Sequence, residues 1–562
     1  MTIRRILCAL LLMMGVAAAQ EQSDPVLAVL HQELTRSFQN LKKTQTPPYF
    51  LSYELTDNHS IQVSASFGAL MASDDRRTRL LDIDLRVGDY SLDNTHPMAE
   101  QGFGRSMSMR QVPIPIEDGA DALRNAIWFA TDEKYKDAVE RLATVKTNVQ
   151  VKVAAEDKSA DFSREKPQNH LEPEPPFSYD RAEWENRVRR YTALFVGKPG
   201  IYHATASASG EIETRRYVNS EGSEIRMSMP LYQLTISATA KAEDGMVLPL
   251  HLTYMSWEPN GLPDDASIMK DVTNMVEKLV ALRTAPLADA YTGPAILSGR
   301  ASAVFFHEIF GHRVEGQRQK EADDAQTFKK KVNQQVLPPF LSVYSDPTLR
   351  RLSSNDLVGF YSYDDEGVKT DRVTIVDKGI LRNFLMSRSP IEGFNHSNGH
   401  GRRQQGYAVE ARQSNLLVES AKKVSRAELK RMLLEQVKAS NKPYGLFFDD
   451  IEGGFTFTQR GMPNAFNVLP TLVYRIYPDG HEELVRGVDL IGTPLTSFSK
   501  IIATDDETGI FNGMCGAESG WVPVSAVSPG ILVAQIETQR KEKSQEREPI
   551  LPPPSQDAGG VK

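Results

Sequence analysis

The six residues HEIFGH, at 307–312, constrain the fold of this chain more than any other stretch. They sit within GRASAVFFHEIFGHRVEG, which reads as a helix with a small-residue start and an apolar body. His307 and His312 are five residues apart, whereas the zinc-protease pattern H-E-x-x-H spaces its histidines by four. An α-helix turns about 100° per residue, so residues four apart lie about 40° out of line and residues five apart about 140°. A straight helix would send the two imidazoles to different sides. Two local changes bring them back together. A π-type bulge widens one turn to five residues, or the helix stops at Gly311, where backbone freedom lets His312 swing back. The sequence therefore predicts an irregular helix at this point.

Two imidazoles on one cation would leave room for a third ligand, since catalytic zinc commonly has three protein ligands and one open position. Cysteine usage points to a candidate. The chain has two cysteines, and Cys8 lies within the apolar run ILCALLLMMGVAAA, after Arg4 and Arg5 and before Gln20. This is the pattern of a secretory signal peptide over residues 1–19, with Ala17-Ala18-Ala19 as the cleavage site. The run is too short to span a bilayer comfortably. Cleavage implies a periplasmic or secreted protein in which Cys515 is the remaining thiol and no intramolecular disulfide forms. A lone thiol in an oxidising compartment is a hazard unless it is buried or bound to something. In NGMCGAESGWVPVS, Gly513 and Gly516 suit a loop approaching an ion closely. The plainer readings are a core histidine beside Phe305, Phe306 and Phe310, a solvated Glu308 and a buried structural thiol.

The 562 residues, 40% hydrophobic and 25% charged, are ordinary globular composition and favour two or more domains. Loss of Arg4 and Arg5 from the 65 basic residues, against 73 acidic ones, sets the mature charge at about −10. A negative chain without a basic cluster makes a poor nucleic-acid binder. No later segment is long and apolar enough to cross a membrane.

Patterning along the chain predicts an α+β protein of two domains, with mainly antiparallel sheets and flanking helices. The N-terminal domain is expected over 20–290 and a C-terminal domain over 291–540, the HEIFGH helix lying at its start. Helices are expected over 26–43, 118–145, 182–196 and 265–284. PYFLSYEL and SIQVSASFG read as two strands, and a polar, proline-rich loop runs over about 158–178. RVTIVDKGILRNFLM reads as a hairpin turning at Asp377-Lys378-Gly379. LVYRIYPDGHEELVRG reads as another, with Asp479-Gly480 as a two-residue turn. Ser425 and Glu428 form a capping box that opens a further helix. Residues 541–562 read as a disordered tail.

Several ordered motifs resemble the TldD/PmbA metalloprotease family. They are AVFFHEIFGHRVEG, YDDEG at 363–367, GRRQQGYA at 401–408, NLLVES at 415–420, DIEGGFTF at 450–457, LIGTP at 490–494 and NGMCG at 512–516. The resemblance implies the metal-binding, TldD-like branch, with His307, His312 and Cys515 holding one zinc ion per chain. It implies Glu308 as the general base that activates the water, not as a ligand. It further implies unfolded peptide substrates and a homodimer or a heterodimer with a related subunit. An extended peptide pairing along an exposed strand near the metal is the expected mode of binding. His396, His400, Arg402 and Arg403 crowd one loop and are candidates for stabilising an oxyanion, or else form a solvated surface. The acidic trio Asp364, Asp365 and Glu366 fits a hairpin turn better than a calcium loop, whose longer spacing is missing. Two further readings stand beside the peptidase: a non-catalytic subunit that keeps a metal for structure, and an oxidation-sensing thiol protein without metal.

Overall fold

The computed structural model describes residues 24–97, 111–151, 157–320, 326–456 and 466–541. The expected signal segment, and all of the expected tail beyond Lys541, lie outside the described residues. The fold is α+β, with two large sheets drawn from the two ends of the chain.

The first sheet has seven strands, and its centre is four long ones: Pro48–Ser66, Ala69–Val87, Ile201–Asn219 and Glu224–Lys241. All their mutual pairings are antiparallel. Pro48–Ser66 is a single strand where the sequence suggests two. The polar residues Asp57, Asn58 and Ser60 look like a break, yet they pair on both sides, with 76–79 and with 211–214. Their side chains are half-exposed, apart from a deeper start to the strand, so polarity there does not interrupt the ladder.

Helices Pro25–Leu41 and Ala120–Val151 pack together and against this sheet. Asp24 starts the first by accepting the amides of Val26 and Leu27, with Pro25 at the position where a missing N–H costs nothing. Val26, Leu27, Leu30 and Leu34 then bury one face. Helices Arg181–Ala193 and Asp265–Thr284 cover a second apolar cluster of the same sheet. Residues 157–178 carry one short strand, Asn169–Leu171, in an otherwise irregular path.

The second sheet has twelve strands and partly closes on itself. Strand Gly520–Arg540 pairs with Val488–Gly492, which pairs with Phe466–Ile476, then Gly445–Thr456, then Tyr291–Leu297, which pairs back with Gly520–Arg540. Ile501–Ala517 forms a long hairpin with Gly520–Arg540. Helix Gly299–Ile309 packs chiefly against Gly520–Arg540, Gly445–Thr456 and Ile501–Ala517, and all its residues but Gly299, Arg300 and Glu308 are buried. The expected hairpin at 373–381 is present, with Lys378 and Gly379 both in the left-handed region. The turn near 479 is longer than expected. Tyr477 and His481 still pair, so Pro478, Asp479 and Gly480 form a three-residue loop. Among the described residues no helix is long and apolar enough to cross a membrane.

Buried charge joins the two sheets. Arg215 pairs with Glu54 of its own sheet and with Asp365 from the other half. Arg403 reaches back to Glu54 and Asp82. Gln405 donates to Glu213 at 2.6 Å, and the Gly406 amide donates to Asp82. Arg388, 1% exposed, donates to the Ser163 carbonyl, pairs with Glu221 and stacks on Phe162. Asp356 accepts from Ser256 and from the Trp257 amide. These residues hold the second half against the first.

Glu213 gives this junction a pH dependence. Burial pushes its carboxyl up to about 7, against the pull of Arg215 and with help from Glu211. A carboxyl that keeps its proton more tightly when folded contributes stability that is complete below its unfolded value of 4.5 and is lost as pH rises through about 7. Glu213→Gln is therefore expected to be more stable than wild type at pH 8, by ~1–3 kcal/mol, with the gap narrowing toward pH 5. Thermal unfolding at the two pH values checks this; a gap that does not change with pH would remove Glu213 as its source.

Candidate metal centre

The helix that carries His307 begins at Ser298, whose Oγ accepts the Ala301 amide and donates to the Asp449 carbonyl. Small side chains at its start permit close contact with the hairpin. Ser302 Oγ lies 2.8 Å from Ser528 Oγ, and a Cβ on Gly299 would meet the Gly509 nitrogen at 2.5 Å. Phe305, Phe306 and Phe310 anchor the helix around Phe498. The apolar body foreseen from the sequence is this anchor.

The helix ends at Ile309 with Phe310 as its cap, and a 3₁₀ turn follows over Gly311–Val314. This is the second of the two routes considered above. The tighter turn brings the His312 ring back to a centroid distance of 5.2 Å from His307. Gly311 suits the close approach there, since a Cβ would lie 1.8 Å from Gln413 Oε1 and that side chain would have to move. Gln413 also donates through Nε2 to the His307 carbonyl, so it braces the helix end.

Cys515 arrives from the hairpin strand Ile501–Ala517, opposite Val522. Its Sγ lies 3.4 Å from His312 Nε2. One donor atom each from His307, His312 and Cys515 lies within 4.8 Å of the others, and all three residues are buried. His307 Nδ1 is buried with no hydrogen-bond partner among the described residues. A sulfur and an imidazole nitrogen on one tetrahedral zinc stand about 3.5 Å apart, given Zn–S and Zn–N bonds of roughly 2.3 and 2.0 Å. The donor set and its spacing fit such an ion.

Burial opposes both charged forms here, but the pair overrides it. The Cys515 sulfur and the Glu315 carboxylate hold the His312 imidazolium well above the ordinary histidine value. Burial raises the Cys515 thiol, and His312, Arg412 and His307 together bring it well below. Glu308 is half-buried beside the pair and faces the Gly454 amide of strand Gly445–Thr456. Burial raises its carboxyl above the usual range, against the pull of both histidines.

A shell of residues behind the ligands was not foreseen from sequence. Glu315 is fully buried, with Oε1 3.1 Å from His312 Nδ1 and Oε2 accepting Arg318 Nε at 2.8 Å. Burial raises its carboxyl, but His312 and Arg318 outweigh that and lower it to about 2. Arg412, also fully buried, donates through Nη2 to the Cys515 carbonyl at 2.7 Å and to Sγ at 3.2 Å. Glu315 has a local signal, three residues after His312 in one apolar segment. Arg412 has none, because it is 103 residues from Cys515.

The loop proposed for oxyanion stabilisation is not a solvated surface over most of its length. His400 is fully buried, with Nε2 2.8 Å from Ser345 Oγ, and burial drops its pKa to about 4. Arg402 donates to the carbonyls of Gln413 and Pro523. Arg403 is engaged at the junction with Glu54, and His396 is exposed beside Glu165. Asp364, Asp365 and Glu366 form a turn closed by Gly367, as expected, but a buried one.

Residues 290–540 match the family model of the PmbA/TldA metallopeptidase C-terminal domain. The chain is similar to a metalloprotease of Archaeoglobus fulgidus, 28% identical over 262 residues, 47% of this chain and 56% of that protein. It therefore spans only about half the length of that relative. It is also similar to a zinc metalloprotease TldD homolog of Saccharolobus solfataricus, 22% identical over 60% of this chain and 71% of that protein. The crystal structure of TldE from Thermococcus kodakarensis shares the fold, with a TM-score of 0.59 over 92% of this chain and 100% of that one, at 13% identity.

Gly311→Ala is expected to destabilise the protein by about 1–3 kcal/mol, the range for overpacking, because Gln413 must leave the helix end. Urea unfolding measures it; an unchanged midpoint would show that Gln413 yields freely. The C-terminal domain match and the metalloprotease relatives support the TldD/PmbA family for this chain, and the solved structure shows the fold.

Proposed function

We propose that the chain is a zinc-dependent metallopeptidase that hydrolyses unfolded peptides or peptide segments. The observation that carries this reading is the convergence of His307, His312 and Cys515 donors within 4.8 Å, with Glu308 one residue from the first ligand. His307, His312 and Cys515 would hold the ion. When bound, zinc supplies Lewis acidity that polarises a carbonyl and makes water easier to deprotonate.

Glu308 takes the proton of the attacking water and passes it to the leaving amine. Its burial suits this work, because a raised carboxyl is a stronger base once ionised. Strand Gly445–Thr456 runs beside this base. It pairs with Tyr291–Leu297 through residues 446–448, and beyond them the Asp449 and Ile451 carbonyls accept from Ser298 and Arg300 of the His307 helix. The same stretch presents the Gly454 amide to Glu308. An extended peptide pairing along an exposed strand near the metal would be held by main-chain bonds, which tolerate many sequences. We further propose action in the periplasm or outside the cell, as a homodimer or with a related subunit.

Glu308→Ala is expected to bind zinc at the wild-type stoichiometry and to cleave an unstructured peptide ~10²–10⁴-fold more slowly, the span typical of a lost general base. Unchanged cleavage would end the proposed mechanism. Cys515→Ser is expected to bind zinc more weakly in a chelator competition, and equal affinity would remove Cys515 from the ligand set.

A further inference from the structure

The two ligands His312 and Cys515 come from elements that share no ladder. One sits in the 3₁₀ turn at 311–314 and the other in the hairpin of 501–540. Two buried side chains link them into a closed circuit. From Cys515 Sγ, His312 Nε2 is 3.4 Å away; His312 Nδ1 is 3.1 Å from Glu315 Oε1. Glu315 Oε1 is 3.7 Å from Arg412 Nε, and Arg412 Nη2 returns to Sγ at 3.2 Å. Arg412 also grips the hairpin's tip through Ser519 Oγ and the Gly520 carbonyl, at 2.8 and 3.0 Å. Arg318 ties the same Glu315 to Glu518.

We propose that Arg412 and Glu315 are positioning residues of this centre. Arg412 fixes the direction of the Cys515 sulfur and draws charge from it, and Glu315 fixes which imidazole nitrogen of His312 faces the same point.

Charge and geometry support each half of this. The two arginines and two carboxylates of the shell cancel, so the sulfur is the centre's own net charge toward a divalent ion. A charge-assisted hydrogen bond to sulfur stabilises its lone pairs and makes them weaker donors. That offsets the loss of Lewis acidity a thiolate ligand would bring to zinc. A carboxylate on Nδ1 places the proton there and leaves Nε2 as the donor, the arrangement that outer-shell carboxylates give to metal-binding histidines. Lysine cannot reproduce the first function fully. It keeps the charge but lacks the planar fork that reaches Sγ, the Cys515 carbonyl and the Gly520 carbonyl together.

The inference rests on the metal reading, and Co(II) tests the two separately. The full chain, Arg412→Met, Arg412→Lys and Glu315→Gln are each titrated with Co(II) and followed by near-ultraviolet absorption. Wild type is expected to show a sulfur-to-cobalt charge-transfer band. In Arg412→Met the band moves to longer wavelength, since an unpaired sulfur gives up an electron more easily, and Arg412→Lys recovers part of the shift. In Glu315→Gln the band stays near the wild-type position, while Co(II) affinity falls ~10–100-fold, the usual effect of losing such a partner. A wild type that binds Co(II) with this band, but whose band is unmoved in Arg412→Met, overturns the role of Arg412. Glu315→Gln affinity equal to wild type overturns that of Glu315. No band in wild type overturns the metal reading and this inference with it. A purely structural role would change melting temperature and leave the band where it was. Glu315→Gln and Arg412→Lys nearly preserve shape, which keeps the test valid if Arg412→Met does not fold.

Discussion

Everything at the candidate centre depends on where one helix stops. A regular helix through residue 312 would hold the two imidazoles on different sides, and no rotamer could recover them. Ending at Ile309 and tightening into the 311–314 turn reverses this. The ending is enforced by packing. Gln413 fills the space beside Gly311 and holds the His307 carbonyl, and the phenylalanines on either side are locked around Phe498. The five-residue spacing is thus matched to its own backbone geometry, not a loose form of the four-residue pattern.

The sheet that surrounds the helix explains how the third donor comes near. Strand Gly520–Arg540 takes part in the closed set of strands and also forms one arm of the hairpin bearing Cys515. The strand that frames the helix therefore also fixes the height of the sulfur. Ser302 against Ser528, and Gly299 against Gly509, show how closely helix and hairpin meet. Larger residues at these positions would move the sulfur relative to the rings.

Local features of the chain were legible in its sequence, and long-range ones were not. Ser425 announces its helix because capping is chemistry between near neighbours. Lys378-Gly379 announces its turn for the same reason. The single strand over 48–66 was obscured because its polar middle is stabilised by two partners, one of them, at 211–214, far away in sequence. The loop at 396–403 reads as solvated by composition, yet Arg402 and His400 are buried by carbonyls and a serine from distant segments. His307, Glu308 and His312 stood out as a motif and Cys515 by arithmetic. Arg412 did not, since neither residue type nor spacing marks it until the fold supplies its partners, and Glu315 had only its place three residues after His312.

The buried guanidinium of Arg388 bears on how the protein can be taken apart. Its neighbours, Phe162, Ser163 and Glu221, all belong to the first sheet's half of the chain, while it belongs to the other. Cut between the sheets, the chain would strip that cation of its solvating groups and leave Glu54 and Asp82 without Arg403. A graft of the metal-bearing half onto another protein would carry with it a face of charges that have lost their partners.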